Sequence, residues 1–508
     1  MQTNTVSKGF WTQKKSLVAY AISLLALAEI VDLTIVAVAI PQIMGSLGAN
    51  IETIADITTI YIVVAAIFIL LSGLIIDKYG IKRVALVSSV IFAFSSIMCG
   101  MSTSLEEMII FRALQGLGGA FLPAVAQTYI STTFKNEEYS KMMTVYSMVL
   151  VMGPIIGPIL GGAISENMSW NWIFYVNVPI CIIAFTIIFL FMKSSKIKNI
   201  KIDYFSFLFM AIGVGFLELF FDNGNSNGWF NSIGMIIILA ISLTSLTFFM
   251  WRGLTYSSVV KFSIFRNANF VIACILCFLF VLLFSASMAY MPTMLQQVYN
   301  YPVDLAGYIT APRGVAAVIS ALVTQSIIIK VLGNRRTISL GIIIFGISCF
   351  LFTNISSSIN EQLIITVSTL QGIGMMMFFV PFMGILVVGI KEEDMADMTG
   401  SFNFFRNFGM SVGTAFIATF ISRSQQTNYQ DLAQNITPFN QNFQVWSSAL
   451  HSPDNITLAI AHNQILRQSS IISYVSSYYV IGILCMILAI VPFILKEPTK
   501  STTAVAMH

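Results

Sequence analysis

The chain has 508 residues, 57% of them hydrophobic and only 9% charged, with a formal net charge of +4. A soluble domain carries about 25% charged residues, so most of this surface faces lipid, which excludes a soluble enzyme and a nucleic-acid-binding protein. No Gly-Lys pair occurs, so no phosphate loop of the Walker A type can hold ATP; the energy is expected to come from a gradient or a partner, with no cofactor.

A helix crossing the hydrocarbon needs about 20 largely apolar residues. Apolar runs predict fourteen spans, near 17–38, 54–76, 84–101, 107–131, 142–164, 173–192, 204–222, 232–251, 269–291, 303–329, 337–353, 362–389, 398–421 and 471–495. The fold class is therefore an all-α membrane protein. In the first span Glu29 and Asp32 stand three residues apart, on neighbouring parts of one helical face. They also interrupt what could otherwise imitate a cleaved signal peptide. An ionisable residue at mid-span costs at least about 2.5–3.5 kcal/mol and is a functional candidate by default. A carboxylate that alternates between burial and a nearby cation can take up and release a proton. The alternative is a structural pair or an interfacial cap.

Span 2 ends in Gly73-Leu-Ile-Ile-Asp77-Lys-Tyr-Gly80-Ile-Lys-Arg83. Asp77 is disfavoured by the dipole of its own helix C-terminus, so another helix's N-terminus or a cation is expected to satisfy it, as a gating latch. Gly73 and Gly80 allow a close approach and a tight reversal. An ordinary topology-setting loop would explain Lys82 and Arg83 but not Asp77.

Arg112, in span 4, lies at a depth close to that of Asp32 when each helix is counted at about 1.5 Å per residue. The two can pair across neighbouring helices, or the arginine can snorkel to the interface. Span 5 carries Gly153-Pro154, Gly157-Pro158 and Gly161-Gly162. Glycines every four residues make a groove for a second helix, and the prolines free carbonyls and bend the helix, which suggests a bending element between halves.

In span 7, Glu218 and Asp222 stand four apart, with Asp222 expected near the outer surface and a coupling role the lesser reading. Arg313 and Arg406 are expected inside the second half, against carbonyls or substrate. The run Met375-Met-Met-Phe-Phe379 could accept varied ligands or contact lipid. With Gln115 and Gln371, these residues are the candidates for lining the substrate path. Residues 422–470 form a polar connection rich in Gln, Asn and Ser, a length that is usually functional or disordered. The six cysteines fall within apolar runs and the three histidines outside them, so the cysteines are expected to pack and no metal site is expected.

Of the 26 Lys and Arg residues, Arg112, Arg313 and Arg406 fall within spans and Arg423 and Arg467 in the 422–470 segment; all others lie on the N-terminal side of the membrane. The positive-inside rule then places both termini in the cytoplasm. A repeat runs through the chain: Gly80-Ile-Lys-Arg83 and Leu114-Gln115-Gly116 recur as Gly333-Asn-Arg-Arg336 and Leu370-Gln371-Gly372. The offset of eight spans predicts two six-helix bundles, 1–200 and 263–508, separated by an inserted helix pair at 201–262. Such halves hold a substrate site between them near the midplane.

These motifs resemble the major facilitator superfamily, and within it the fourteen-span drug:proton antiporters of the EmrB-like kind. Asp32-Leu-Thr-Ile-Val-Ala-Val-Ala-Ile-Pro41 is similar to that branch's first-helix motif, Gly73 to Arg83 to the loop signature, Arg112 to Gly116 to the fourth-helix signature and Gly153 to Gly162 to the antiporter signature. Trp170 to Phe174, Asn177-Val-Pro179 and Thr437-Pro-Phe-Asn440 fit the same branch. The resemblance implies multidrug efflux driven by protons across a bacterial inner membrane, with Asp32 and Arg112 in coupling and Asp77 in gating. It also implies a periplasmic adaptor of the EmrA kind and an outer-membrane channel. Glu29 departs from the neutral polar residue expected there, and the second-half loop lacks an acid matching Asp77. A carrier of one metabolite or siderophore on the same fold is the alternative. An intramembrane enzyme would need clustered His, Asp or Cys within spans, and the few acids named do not supply that.

Overall fold

The computed structural model describes residues 14–497 except 50, 55, 195–196, 198–202, 257–258, 356–359, 435, 438 and 451–453. His451, His508 and Pro438 lie outside the described residues. Among the described residues there are helices and no strands. Counting each of two bent helices as one span gives fourteen helices long and apolar enough to cross a membrane.

In chain order these are α1 (Lys14–Leu47), α2 (Asp56–Leu70 and Ser72–Tyr79), α3 (Ile81–Met101), α4 (Leu105–Thr133), α5 (Glu137–Gly153 and Ile155–Ser165), α6 (Trp172–Phe191) and α7 (Tyr204–Asn223). There follow α8 (Ile233–Thr255), α9 (Ala268–Gln297), α10 (Leu305–Leu332), α11 (Asn334–Phe352), α12 (Glu361–Leu386), α13 (Glu392–Ala433) and α14 (Ile456–Ile494).

Both bends have local causes. In α2 the axis turns by 56° next to Leu71, where the Ser72 hydroxyl donates to Ile69 O at 2.6 Å and Gly73 follows; a Ser/Gly pair is a common origin of a kink. In α5 the axis turns by 44° between Gly153 and Ile155. The glycines of α5, however, face α1 rather than the seam between halves. A Cβ on Gly153 would strike Ile30, one on Gly157 would strike Thr34, and one on Gly161 would lie 3.0 Å from Ile35 O. The bend is where the sequence places it, but the groove serves packing within the first six helices. Gly162 is buried beside it.

The internal repeat is visible atom by atom. Gly80 and Gly333 each turn the chain with positive φ, +84° and +79°, a conformation open mainly to glycine. Gly116 abuts the backbone oxygen of Tyr61 as Gly372 abuts that of Arg313. A Cβ on Gly118 would lie 2.8 Å from Phe92 N, and one on Gly374 would lie 2.9 Å from Phe345 N. Helices α2–α4 and α10–α12 thus pack with the same glycines at the same contacts. The acid absent from the second loop is supplied from elsewhere: Glu497 Oε1 accepts from Arg335 N at 3.2 Å.

Between α1–α6 and α9–α14, the seam near the N-terminal face is held by polar side chains. Asn403 donates to Gln127 Oε1 at 3.1 Å, the Tyr139 hydroxyl donates to Met383 O at 3.1 Å, and Gln325 bonds both Thr144 and Ser140 of α5 at 3.0 and 2.7 Å. Gln325 sits in a π turn, Thr324–Ile328, inside α10; such turns recur at functional positions. Helix α7 bridges α2 and α13: Asp222 accepts from Thr59 of α2, and Glu218 accepts from Ser411 of α13 at 2.6 Å.

The polar segment 422–470 is not an irregular loop in its described parts. Helices α13 and α14 run on into it and bind each other through Gln425–Ser470 at 2.8 Å, Asn428–Ser473 at 3.0 Å and Tyr429–His462 at 2.9 Å. A short amphipathic helix, Gln441–Ala449, lies between them in the chain.

The α1–α5 contact yields a test. Gly157→Val forces a side chain into Thr34 and is expected to cost about 1–3 kcal/mol through overpacking, read as a lower thermal midpoint in detergent. Gly45→Ala, with nothing within 4 Å of the new methyl, is expected to leave the midpoint unchanged.

Candidate functional site

Five of the first six helices converge on one buried charge pair. Arg112 of α4 donates from its NH1 nitrogen to Asp32 Oδ2 of α1 at 2.5 Å, and neither side chain is exposed. The same nitrogen donates to Gln115 Oε1 at 2.7 Å, and Nε donates to Ile57 O of α2 at 3.1 Å. The guanidinium lies over the Tyr61 ring, 4.3 Å from its centroid, a cation–π contact that strengthens away from water.

The other carboxylate oxygen, Asp32 Oδ1, accepts from Gln115 Nε2 at 2.9 Å and from Asn177 Nδ2 of α6 at 2.8 Å. Gln115 also donates to Ser96 Oγ of α3 at 2.8 Å. Two charges out of water are tolerable only when opposed and hydrogen-bonded, and this network meets both conditions. One donor is left over: the NH2 nitrogen of Arg112 is buried without a partner.

Glu29, one turn from Asp32, is also buried, but its Oε2 has no partner. It packs against α4, where a Cβ on Gly119 would lie 3.2 Å from Glu29 Cγ and 2.7 Å from the unpartnered Tyr61 hydroxyl. Glu29 and Asp32 therefore differ sharply: one is fully satisfied, the other an orphan at similar depth.

At the end of α2, Gly73 lies against the first turns of α13, where a Cβ would be 2.6 Å from Asp397 Cα and 2.8 Å from its amide nitrogen. Asp77, one turn further on, belongs to that same helix end. The α2 terminus thus meets a helix N-terminus from the second set of spans. Arg83 is exposed beyond the Gly80 turn.

The six substrate-path candidates separate. Gln115 belongs to the Asp32–Arg112 network. Gln371 and Arg313 form the matching buried pair in the second set, with Arg313 donating to Gln371 Oε1 at 2.6 Å and Gln371 donating to Ser287 Oγ at 2.8 Å. Ser368, at the place corresponding to Arg112, contacts Met291 Sδ at 3.4 Å. Met375 is buried in the protein core rather than against lipid, as is the whole run through Phe379. Phe379 and Arg406 line a cavity between the two sets of helices, about 40 Å³ in volume and walled by α1, α5, α9, α12 and α13.

Sequence reasoning missed Asn177 and Glu497 as members of these sites. The Asn177-Val-Pro179 motif was the available signal for the first. A terminal acid after α14 carried none for the second. The cysteines are all buried and unpaired, with Cys99 contacting Gln115 at 3.7 Å.

With the repeat, the charged first helix and the glycine turns in place, the class follows: the chain belongs to the Major Facilitator Superfamily, which residues 22–414 match, and has that superfamily's all-helical fold with fourteen spans. This is a superfamily of transporters, not of enzymes. Within it, the chain is 30% identical to the multidrug export protein EmrB of Haemophilus influenzae, over 95% of this chain and 96% of that one. It is likewise 30% identical to EmrB of Escherichia coli K12 over 85% of each, and 28% identical to the fatty acid resistance protein FarB of Neisseria gonorrhoeae over 95% and 96%.

The buried pair can be tested without transport. Removing one partner of a buried ion pair typically costs about 3–5 kcal/mol. Asp32→Asn and Arg112→Gln are each expected to lower the thermal midpoint, and the double variant to lose clearly less than their sum. Strict additivity would mean the two groups are energetically independent.

Proposed function

We propose that this protein is a proton-coupled antiporter that exports lipophilic compounds by alternating access across a bacterial inner membrane, with both termini in the cytoplasm. The observation that carries the proposal is the buried Asp32–Arg112 pair with the orphan acid Glu29 beside it, set next to a cavity between the two helix sets. Protonating Asp32 removes the charge that Arg112 and its partners are arranged around, so each proton taken or lost changes which packing of α1, α2 and α4 is stable. The division into two six-helix bundles and an inserted pair, α7 and α8, is supported by the matched glycine contacts of α2–α4 and α10–α12. Relatives named for multidrug export support the direction of transport. The distribution of Lys and Arg supports the orientation.

Gating fits the same scheme. Opening the N-terminal face requires the α2–α13 contact at Gly73 and the Gln325 bridge to α5 to part. The latch role of Asp77 rests on its position at that contact. A periplasmic adaptor and an outer-membrane channel would complete the export route, and the helical projection of α13 and α14 with its amphipathic helix is the surface offered to the adaptor.

Two experiments test this reading. In proteoliposomes with an imposed pH difference, wild type is expected to move a lipophilic dye against its gradient, and Asp32→Asn to lose at least about 100-fold of that driven rate, in line with removal of an essential proton-transfer group. Full driven transport in Asp32→Asn would defeat the assignment. In cells, deleting residues 434–453 is expected to leave insertion and vesicle transport intact while removing drug resistance. Unchanged resistance would dismiss the projection as the adaptor surface.

A further inference from the structure

Three arginines are buried among the described residues, Arg112, Arg313 and Arg406, and they are not equivalent. Arg112 faces a carboxylate. Arg313 faces an amide oxygen and a thioether. Arg406, in α13, turns its Nε and NH2 nitrogens onto a single neighbour, Asn407 Oδ1, at 3.1 and 2.9 Å. Its third nitrogen, NH1, is buried without a hydrogen bond, as are NH2 of Arg112 and Nε of Arg313, and Tyr146 of α5 stands beside the guanidinium. Arg406 makes no ion pair among the described residues.

This guanidinium lines the cavity between the helix sets, whose other walls include Leu33, Val281, Phe284, Phe379 and Met410. Glu29 is the acid that bears on it electrostatically from α1, yet the two do not touch, and Glu29 also retains an unpartnered oxygen. A buried cation with no carboxylate in contact is costly, and an anionic ligand at the cavity would offset that cost. Asn407 fixes one edge of the planar group and leaves NH1 unbonded on a residue that lines the cavity; a free guanidinium edge is suited to carboxylates and related oxyanions.

We infer that Arg406 is the specificity-determining residue for amphiphilic anions: transported compounds carry an acidic group that seats on the NH1 edge, while their apolar body lies against Phe284, Phe379 and Leu33. In this conformation the cavity, about 40 Å³, is far smaller than the roughly 300–1,000 Å³ of a site for a drug-sized ligand. It is the head-group end of the site, and the body of the ligand takes the space that opens when α1 and α5 separate from α9, α12 and α13. The inference deepens the transport reading above and rests on it for the site's purpose.

The test is equilibrium binding to the full chain in lipid nanodiscs, using three probes that share one ring system: 2-naphthoate, 2-naphthamide and 2-naphthylmethylammonium. Wild type is expected to bind the carboxylate most tightly. Arg406→Gln is expected to weaken carboxylate binding by about 10-fold or more, the worth of one charged hydrogen bond, with the amide changed by less than about 3-fold, and Arg406→Lys is expected to recover part of the loss. Preference of wild type for the ammonium probe, or an equal loss of all three probes in Arg406→Gln, would overturn the inference. Binding at equilibrium needs no proton gradient, so failure of proton coupling in Asp32→Asn and failure of anion selectivity in Arg406→Gln are read separately.

Discussion

A carboxylate and a guanidinium held together where no water can reach either of them organise this molecule. Asp32 and Arg112 are both fully buried, and each would be prohibitively costly alone in that place. Their mutual need fixes the approach of α1 to α4, and their remaining hydrogen bonds recruit α2, α3 and α6 through Ile57, Ser96 and Asn177. The glycines of α5 then let α1 lie close enough for the pair to sit deep in the bundle. A charge whose loss unsettles five helices is a suitable place to attach a proton to a conformational change.

The second set of helices keeps the frame and discards the carboxylate. Gln371 bonds Ser287 at 2.8 Å as Gln115 bonds Asp32 at 2.9 Å, and the same glycines bring the same helices together. What differs is that a serine hydroxyl stands where the carboxylate would be, and Arg313 approaches from α10 rather than from the helix carrying the glutamine. The first half thus centres on a carboxylate–guanidinium pair, and the second on a guanidinium bonded only to neutral groups. The inserted helix α7 touches both, through Thr59 and Ser411, and so spans the joint rather than lying apart from it.

Much of this was legible in the residues. Fourteen spans, the pairing of Asp32 with Arg112 and the turn at Gly80 follow from the cost of polar groups in oil, helix rise and the backbone freedom of glycine. The bonds of Gln115 to Asp32 and Arg112 were not legible because spacing along α4 says which residues share a face, not which side chains that face meets. Asn177 was passed over because an asparagine at a span's end reads equally well as an interfacial residue. The Met375–Phe379 run was ambiguous for the same reason, since apolar side chains look alike whether they face lipid or core. The 422–470 segment read as a connection because its Gln, Asn and Ser lack an apolar stripe. Its helices are held instead by side-chain hydrogen bonds between α13 and α14, which leave no hydrophobic period to detect.

The most direct measurement is proton release from purified protein in weakly buffered detergent solution on addition of a transported compound. If substrate binding and the protonation of Asp32 exclude one another, wild type releases protons on saturation and Asp32→Asn releases none. Equal release from both, or none from wild type that demonstrably binds the compound, would contradict a mechanism in which this carboxylate exchanges its proton for cargo.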